Sequence, residues 1–255
     1  MLSFIKMQGF GNDYIYIDNR GKNNTPISNK LCQKLCKNKF AIGSDGIIVI
    51  KSFPNCDAKI EIYNKDGTKA KMCGNATRCV AFYLSQKLNK SKIKIKSNTH
   101  ILKNIVYQKN KTRANVLTKW TRADVIKSKN NKYLVDCGNL HLVIFVKNFN
   151  FDIEKCGKRL NEQTKNKVNI EFVKVQTNNT LQVKVYERGS GLTKACGSGA
   201  IASAVAYLYG KGQNEKVKVF LDGGKLNIYI HNKKIFMFGD ANIVYKGETN
   251  LDEFC

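Results

Sequence analysis

The sequence has little proline, little histidine and no long apolar run. Its 255 residues include two prolines and three histidines, and 42% of them are apolar. No segment is of low complexity, so the chain is expected to be ordered apart from its ends and some Lys/Asn-rich loops. No window approaches the roughly 18 uninterrupted apolar residues of a membrane span. Residues 1–18 alternate apolar and polar side chains, and no small-residue cleavage site follows, which predicts a cytoplasmic protein without a signal peptide or membrane partner.

Metal-binding and disulfide motifs are also missing, although cysteine is abundant. The chain contains nine cysteines, an odd number, and no C-x-x-C. Cysteine and histidine do not occur at zinc-finger spacing, so no structural metal is expected. Most of the thiols, including Cys79, Cys137 and Cys156, are interpreted as buried or incidental.

Acidic residues are scarce, which leaves a formal net charge of +25. A charge of this size raises the alternative of a nucleic-acid-binding protein. The basic residues are mostly lysines spread along the chain, and neither an RNP-like motif nor an Arg-rich helix is found. This pattern favours solvated surfaces without a specific nucleic-acid partner, together with a general attraction to anionic substrates.

One segment occurs twice. "YNKDGTKAKMCGN" (63–75) reappears 123 residues later as "YERGSGLTKACGS" (186–198), and apolar stretches follow both, "ATRCVAFYLSQKL" and "GAIASAVAYLYGK". A fainter pair lies upstream, "GFGNDYIYID" (9–18) and "DCGNLHLVIFV" (136–146). Repetition of this kind predicts a fold made of two similar halves.

The apolar pattern predicts an α/β (α+β) fold for these halves. Ten alternating, β-branched runs are typical of strands. Residues 76–88 and 199–209 are apolar on all sides and are predicted as central helices, each wrapped by a curled mixed sheet. Residues 28–37 and 152–166 are predicted as surface helices. The expected division is 1–115 with Cys73 and 116–242 with Cys196, with a tail of about 243–255 packing back on the first half and the active site in the cleft between the halves.

The repeated Cys-Gly indicates a chemical role. At a helix start, unpaired N–H groups and the positive end of the helix dipole favour a bound carboxylate and lower the pKa of a nearby thiol. If the halves face each other, one thiolate can remove an α-hydrogen while the opposite thiol delivers a proton, which inverts the carbon. Two alternatives stay open: each cysteine is a small buried residue, or the two form a redox-active pair.

These motifs resemble the diaminopimelate epimerases, which are cofactor-independent two-cysteine amino-acid racemases and epimerases. The resemblance rests on "GFGNDY" (9–14), "IGSDGIIVI" (42–50), "YNKDGTKAKMCGNATRC" (63–79), "GNLHLVIFV" (138–146), "VNIEFV" (168–173) and "YERGSGLTKACGSGA" (186–200). It implies LL-/meso-diaminopimelate epimerisation in lysine and peptidoglycan precursor synthesis, no pyridoxal phosphate or metal, and a homodimer. A relative that acts on lanthionine, histidine or another amino acid is the alternative.

The resemblance also implies roles for individual residues. Cys73 and Cys196 would be the acid–base pair, with His141 in support. Substrate contacts would come from Asn12, Asn64, Gly74, Asn75, Asn139, Asn169, Glu187, Arg188, Gly197 and Ser198. Several of these have simpler explanations: residues 64–67 form a common turn sequence, Asn12 suits a turn or cap, and His141 suits a strand interior.

Three positions depart from the usual pattern of the family. Leu140 stands where proline is common, Leu192 where glutamate is common, and Ala76 where glycine is common. None of these changes removes a proton carrier. The change at Leu192 alters the loop before Cys196, so it bears on substrate preference more than on reaction type.

Overall fold

The computed structural model describes residues 1–21, 25–70, 72–98, 100–211 and 215–254. The chain forms two compact units. The first unit comprises residues 1–118 and 240–255, and the second comprises residues 119–239.

The first unit is built mainly of strands. They are β1 (Leu2–Gly9), β2 (Asn12–Asn19), β3 (Gly46–Phe53), β4 (Cys56–Asn64), β5 (Lys69–Ala70), β6 (Lys92–Lys96), β7 (Ile101–Gln108), most of β8 (Arg113–Trp120) and the second part of β17 (Lys234–Thr249). Two helices, α1 (Asn29–Leu35) and α2 (Gly74–Lys87), and a 3-10 turn at Leu251–Phe254 complete it.

Helix α2 forms the core of the first unit. Strand β1 pairs with β2 and β17, β2 runs parallel to β3, and β4 pairs with β3 and β6. Twelve of the fourteen residues of α2 are buried, and its Phe82 and Leu84 pack with Ile48 and Ile62 from the strands. An all-round apolar sequence is what a helix enclosed by sheet requires.

The second unit repeats this plan. It contains β9 (Asp124–Lys129), β10 (Lys132–Asp136), β11 (Leu140–Phe145), β12 (Val168–Thr177), β13 (Thr180–Glu187), β14 (Gly191–Thr193), β15 (Glu215–Leu221), β16 (Gly224–His231) and the start of β17. Its helices are α3 (Ile153–Gln163) and α4 (Gly197–Leu208). Helix α4 is buried along most of its length, whereas α3 buries one face against Phe172 and Tyr186.

Strand register makes the two units comparable residue by residue. Ile47 on β3 pairs with Ile15 and Tyr63, and Ile170 on β12 pairs with Leu142 and Tyr186. Since Tyr63 and Tyr186 begin the repeated segments, Ile47 corresponds to Ile170. The next residues along these strands, Ile48 and Glu171, therefore correspond as well.

The predicted α/β class and the four predicted helices are confirmed, with ends that differ by a few residues. All ten predicted apolar runs lie in strands, but strands β1, β5, β7–β10 and β14 were not predicted. Several of these are short or carry many exposed polar residues, which weakens alternation as a signal. Among the described helices, none is long and apolar enough to span a membrane.

Candidate active site

Cys73 caps the start of α2. Its backbone is extended (φ −144°, ψ 112°), and its Sγ accepts a hydrogen bond of 3.4 Å from the backbone N–H of Ala76. A sulfur in this position lies at the positive end of the helix dipole, where negative charge is stabilised. The local geometry therefore suits a thiolate at Cys73.

Two of the predicted asparagines lie beside Cys73. The Oδ1 of Asn12 is 3.8 Å from the Cys73 sulfur and accepts a hydrogen bond of 3.4 Å from the side-chain amide of Asn75. Asp45 fixes Asn12 from the other side by accepting from its Nδ2 at 3.3 Å. Burial raises the pKa of Asp45; the hydrogen bond from the Asp13 backbone N–H opposes this shift, and the Asp13 side chain adds to it.

Arg78, near the start of α2, is a fully buried cation. Its Nε donates to the Asp240 carbonyl at 3.0 Å, and its guanidinium donates to Asn75 Oδ1 at 2.5 Å. Its cationic group lies 5.0 Å from the Phe10 ring centroid. Burial lowers the pKa of Arg78, and nearby acidic groups, Cys73 among them, oppose this shift. Arg78 thus connects Asn75 to the core of the first unit.

Asn64 lies at the end of β4, in the turn that its sequence indicates. The N–H of Gly67 donates to the Asn64 carbonyl at 2.8 Å, and the Asn64 side chain donates to Thr68 Oγ1 at 3.0 Å. The structure therefore agrees with the turn interpretation. The half-buried amide of Asn64 is compatible with a substrate contact as well.

Cys196 caps α4 in the same way. Its backbone is extended (φ −128°, ψ 113°), its Sγ accepts from the Gly199 N–H at 3.4 Å, and Ser198 Oγ lies 3.5 Å away. Gly74 and Gly197 occupy equivalent first positions of the two helices. The repeated segment therefore places a thiol at the start of each buried helix.

The surroundings of Cys196 are acidic. Glu187 accepts from Thr193 Oγ1 at 2.6 Å, and its charge interacts with the Cys196 thiol. Burial raises the pKa of the Cys196 thiol, and the charges of Glu187 and Glu171 raise it further. Burial likewise raises the pKa of Glu187. The sequence-based expectation of a lowered thiol pKa is wrong for Cys196, because desolvation and two carboxylates outweigh the helix dipole.

His141 forms a buried pair with Glu171. The His141 Nδ1 lies 2.6 Å from Glu171 Oε1, and both side chains are fully buried. Within the part of the chain that the structure describes, His141 Nε2 and Glu171 Oε2 have no hydrogen-bond partner. The strand-interior explanation of His141 therefore holds, and its partner is an acidic residue that the sequence did not single out.

The remaining predicted residues, Asn139, Asn169 and Arg188, lie in the second unit. The Asn169 side chain accepts from the Arg188 backbone N–H at 2.9 Å. Asn139 Oδ1 is buried and, among the described residues, unpartnered. Arg188 is exposed beside a cavity of about 420 Å³ that Lys158 and Tyr186 also line. Leu192, the departure from the family pattern before Cys196, lies on β14 rather than in a loop and is 45% exposed.

Sequence reasoning missed three residues that shape these sites: Asp45, Arg78 and Glu171. Two of them had a detectable signal. Arg78 is charged and lies near the start of the predicted buried helix 76–88, whose other charged residue, Lys87, is near its end. Glu171 interrupts the apolar run of "VNIEFV". A charge at a position predicted to be buried needs a partner or a function. Asp45 had no such signal, because it lies in a polar loop.

Known proteins resemble the chain over nearly its full length. The family model described as diaminopimelate epimerase matches residues 4–122 and 133–244. The diaminopimelate epimerase of Carboxydothermus hydrogenoformans is 34% identical, covering 98% of this chain and 100% of that protein. The diaminopimelate epimerase of Methanococcus maripaludis is 33% identical, and the match covers 98% of this chain and 100% of that protein.

Solved structures show the same fold at low sequence identity. A probable proline racemase from Agrobacterium radiobacter, with bound carbonate, gives a TM-score of 0.73 at 10% identity and covers 100% of this chain and 94% of that one. A phenazine biosynthesis protein of the PhzF family from Bacillus anthracis gives a TM-score of 0.72 at 12% identity. The match covers 98% of this chain and 99% of that one.

Proposed function

The chain belongs to the diaminopimelate epimerase family, and we propose that it interconverts LL- and meso-2,6-diaminopimelate by proton transfer at the α-carbon. The observation that carries this proposal is the repeated helix start. Cys73 and Cys196 both cap a buried helix with an extended backbone and a sulfur held by a helix N–H. The product would serve lysine and peptidoglycan precursor synthesis.

Inversion needs two different proton carriers. In the direction that starts from a Cys73 thiolate, this sulfur removes the α-hydrogen and the Cys196 thiol delivers a proton to the opposite face of the carbon. The reverse reaction exchanges the two roles. The buried cation of Arg78 supports a thiolate at Cys73, and the raised pKa of Cys196 supports a thiol there.

The helix starts would hold the carboxylate of the reacting centre. Backbone N–H groups at a helix N-terminus bind anions, and they would also stabilise the charge that develops on this carboxylate as the α-hydrogen leaves. The residues assigned to this part are Gly74, Asn75, Gly197 and Ser198.

The distal amino-acid head of the substrate would meet a second set of polar groups. The exposed guanidinium of Arg188 has the geometry for a bidentate bond to the distal carboxylate. Arg188 is joined to Asn169 through its backbone N–H, which supports a common role. The other residues assigned to the remaining polar groups of the substrate are Asn12, Asn64, Asn139 and Glu187, of which Asn12 and Glu187 lie near the two thiols.

The decisive experiment incubates purified protein with LL-diaminopimelate in heavy water. Chiral chromatography should show the meso isomer, and mass spectrometry should show one deuterium at the inverted centre. Lanthionine and histidine, tested in parallel, should turn over at least tenfold more slowly. Turnover of either one with no activity on diaminopimelate would replace the proposed substrate by that amino acid.

Independence from cofactors, a homodimeric state and a cytoplasmic location are also proposed, supported by membership of the family. Dialysis against a chelator should leave the rate unchanged, and hydroxylamine, which traps pyridoxal phosphate, should not inhibit. Sedimentation equilibrium should give twice the 28.8 kDa chain mass. Loss of activity on dialysis that zinc or pyridoxal phosphate restores would contradict the first of these proposals.

A further inference from the structure

Glu171 is a buried acid with no assigned role in the reaction proposed above. It lies on β12 with its side chain fully buried. The titratable groups that interact with it come from the neighbouring elements: His141 on β11, Glu187 on β13, Cys196 at the start of α4, and Cys137 before β11. Glu171 therefore belongs to the acidic cluster around the second thiol.

The hydrogen bond from His141 to Glu171 determines where the imidazole carries its hydrogen. A carboxylate only accepts, so Nδ1 at 2.6 Å from Oε1 is the donor. The lone pair of a neutral imidazole is then on Nε2. This atom is buried and, within the described residues, has no partner. A base oriented in this way by a carboxylate is a recurring arrangement in proton-transfer sites.

The first turn of α4 leaves space for this carboxylate. A Cβ on Gly199 would lie 2.6 Å from Glu171 Oε1. The N–H of the same glycine donates to the Cys196 sulfur at 3.4 Å. Glycine at this position therefore brings the carboxylate close to the cap that holds the thiol.

The first unit shows that the fold does not need this pair. The residues that correspond to Glu171 and His141 are Ile48 and Tyr14, and the position of Gly199 is occupied by Ala76. Ile48 and Ala76 pack in one apolar cluster. Burying a carboxylate with a histidine in place of such packing does not by itself stabilise a protein, which indicates a functional reason for Glu171.

We propose that Glu171 is a positioning residue for proton transfer at Cys196. By accepting the Nδ1 hydrogen, Glu171 makes Nε2 the basic atom of His141 and stabilises the imidazolium that forms when it takes up a proton. The Cys196 thiol transfers its proton to Nε2 of His141 through the Glu187 carboxylate, whose charge interacts with both groups. The net result is a thiolate and an imidazolium, so total charge is unchanged.

This inference rests on the proposed function, so its test separates the two faces of the substrate. Cys73→Ala leaves α-hydrogen exchange to Cys196, and Cys196→Ala leaves it to Cys73. Glu171→Gln, which keeps the shape but removes the charge, should slow exchange at least tenfold more in the first background than in the second, with KM within about twofold. The matched control is Glu61→Gln, since Glu61 is a carboxylate on β4 that pairs with Lys51 on β3. This variant should stay within twofold in both backgrounds.

A second measurement needs no substrate. The amide of Glu171→Gln can present either its oxygen or its nitrogen to the ring, so the His141 tautomer is no longer fixed. Nitrogen-15 NMR should show a single tautomer protonated at Nδ1 in the wild type and a mixture in the variant. With three histidines in the chain, His141→Gln identifies the signals.

The outcomes separate this inference from the proposed function. Equal slowing in both backgrounds, or no slowing, overturns the role of Glu171, as does an unchanged tautomer in Glu171→Gln. A wild type that does not exchange the α-hydrogen of diaminopimelate overturns the proposed function, while the NMR result still decides the tautomer. If Glu171→Gln does not fold, Glu171→Asp, which keeps the charge on a shorter side chain, should slow the Cys196 face selectively.

Discussion

The two helix starts share one backbone frame but have opposite electrostatic surroundings. Cys73 lies near the buried cation of Arg78. The residue of the second unit that corresponds to Arg78 is Ile201. Cys196 lies near Glu187 and Glu171, and the residue corresponding to the latter is Ile48. Each unit thus carries a buried charge where the other carries isoleucine.

This difference suits a reaction that needs unlike partners. A cation beside one sulfur favours thiolate, whereas burial among carboxylates favours thiol. An epimerase must begin each turnover with one base and one acid. The repeat supplies two equal positions for sulfur, and the surrounding charges make them unequal.

Removing either sulfur should have the largest effect. Cys73→Ala or Cys196→Ala should lower epimerisation by at least about a thousandfold, because inversion then lacks one of its two proton carriers. Each variant should still exchange the α-hydrogen of one isomer with heavy water, measured by mass spectrometry. Cys79→Ala, a buried cysteine on the same helix, is the control. Wild-type turnover in both catalytic variants would end the two-base proposal.

Removing the cation of the first unit should have the next largest effect. Arg78→Met retains bulk but leaves Asn75 Oδ1 without its guanidinium donor and Cys73 without a nearby positive charge. We expect kcat to fall roughly 10- to 100-fold and unfolding free energy to fall by about 2–4 kcal/mol, as for other disrupted buried polar networks. Steady-state kinetics and urea unfolding measure these effects. The control is Ile201→Met, which places methionine at the corresponding position of the second unit. Its effects on kcat and on unfolding free energy should be small.

The protonation of the Cys196 thiol can be measured in the protein without substrate. Because the pKa of Cys196 is raised, its thiolate should be scarce at neutral pH, and iodoacetamide labelling of this residue should increase as the pH rises above 9. Glu187→Gln should move this increase to lower pH, because one of the charges that raise the pKa is lost. Peptide mass spectrometry of Cys196 over a pH series provides the measurement. Fast labelling at pH 7 would contradict the assignment of a thiol.

The smallest effect is expected from exchanging the small residues of the two caps. Gly199→Ala pushes a methyl group into Glu171 Oε1 and should lower unfolding free energy by about 1–3 kcal/mol. Ala76→Gly creates no clash and should cost about 1 kcal/mol or less through helix propensity. Combining Gly199→Ala with Glu171→Ala should cost less than the sum of the single changes. Strict additivity in urea unfolding would show that the glycine and the carboxylate are independent.

Prediction from the sequence succeeded where the signal was local. The all-round apolar helices were found because their burial is repeated at every turn, and the ten clearest strands because their side chains alternate. Strands such as β9, where most residues are exposed, gave no such pattern. Asn12 and Asn75 were assigned through family resemblance, whereas their mutual contact joins residues that are 63 positions apart in the chain.

The sequence by itself determined the duplication, the α/β class and a cysteine ahead of each buried helix, because these depend on spacing and periodicity within short segments. Tertiary structure decided which charge lies near which sulfur. Glu171 approaches the cap of α4 only because β12 packs against that helix and Gly199 leaves room. Desolvation and Coulomb interactions depend on distances in space, so the protonation of Cys196 could not be derived from the order of residues along the chain.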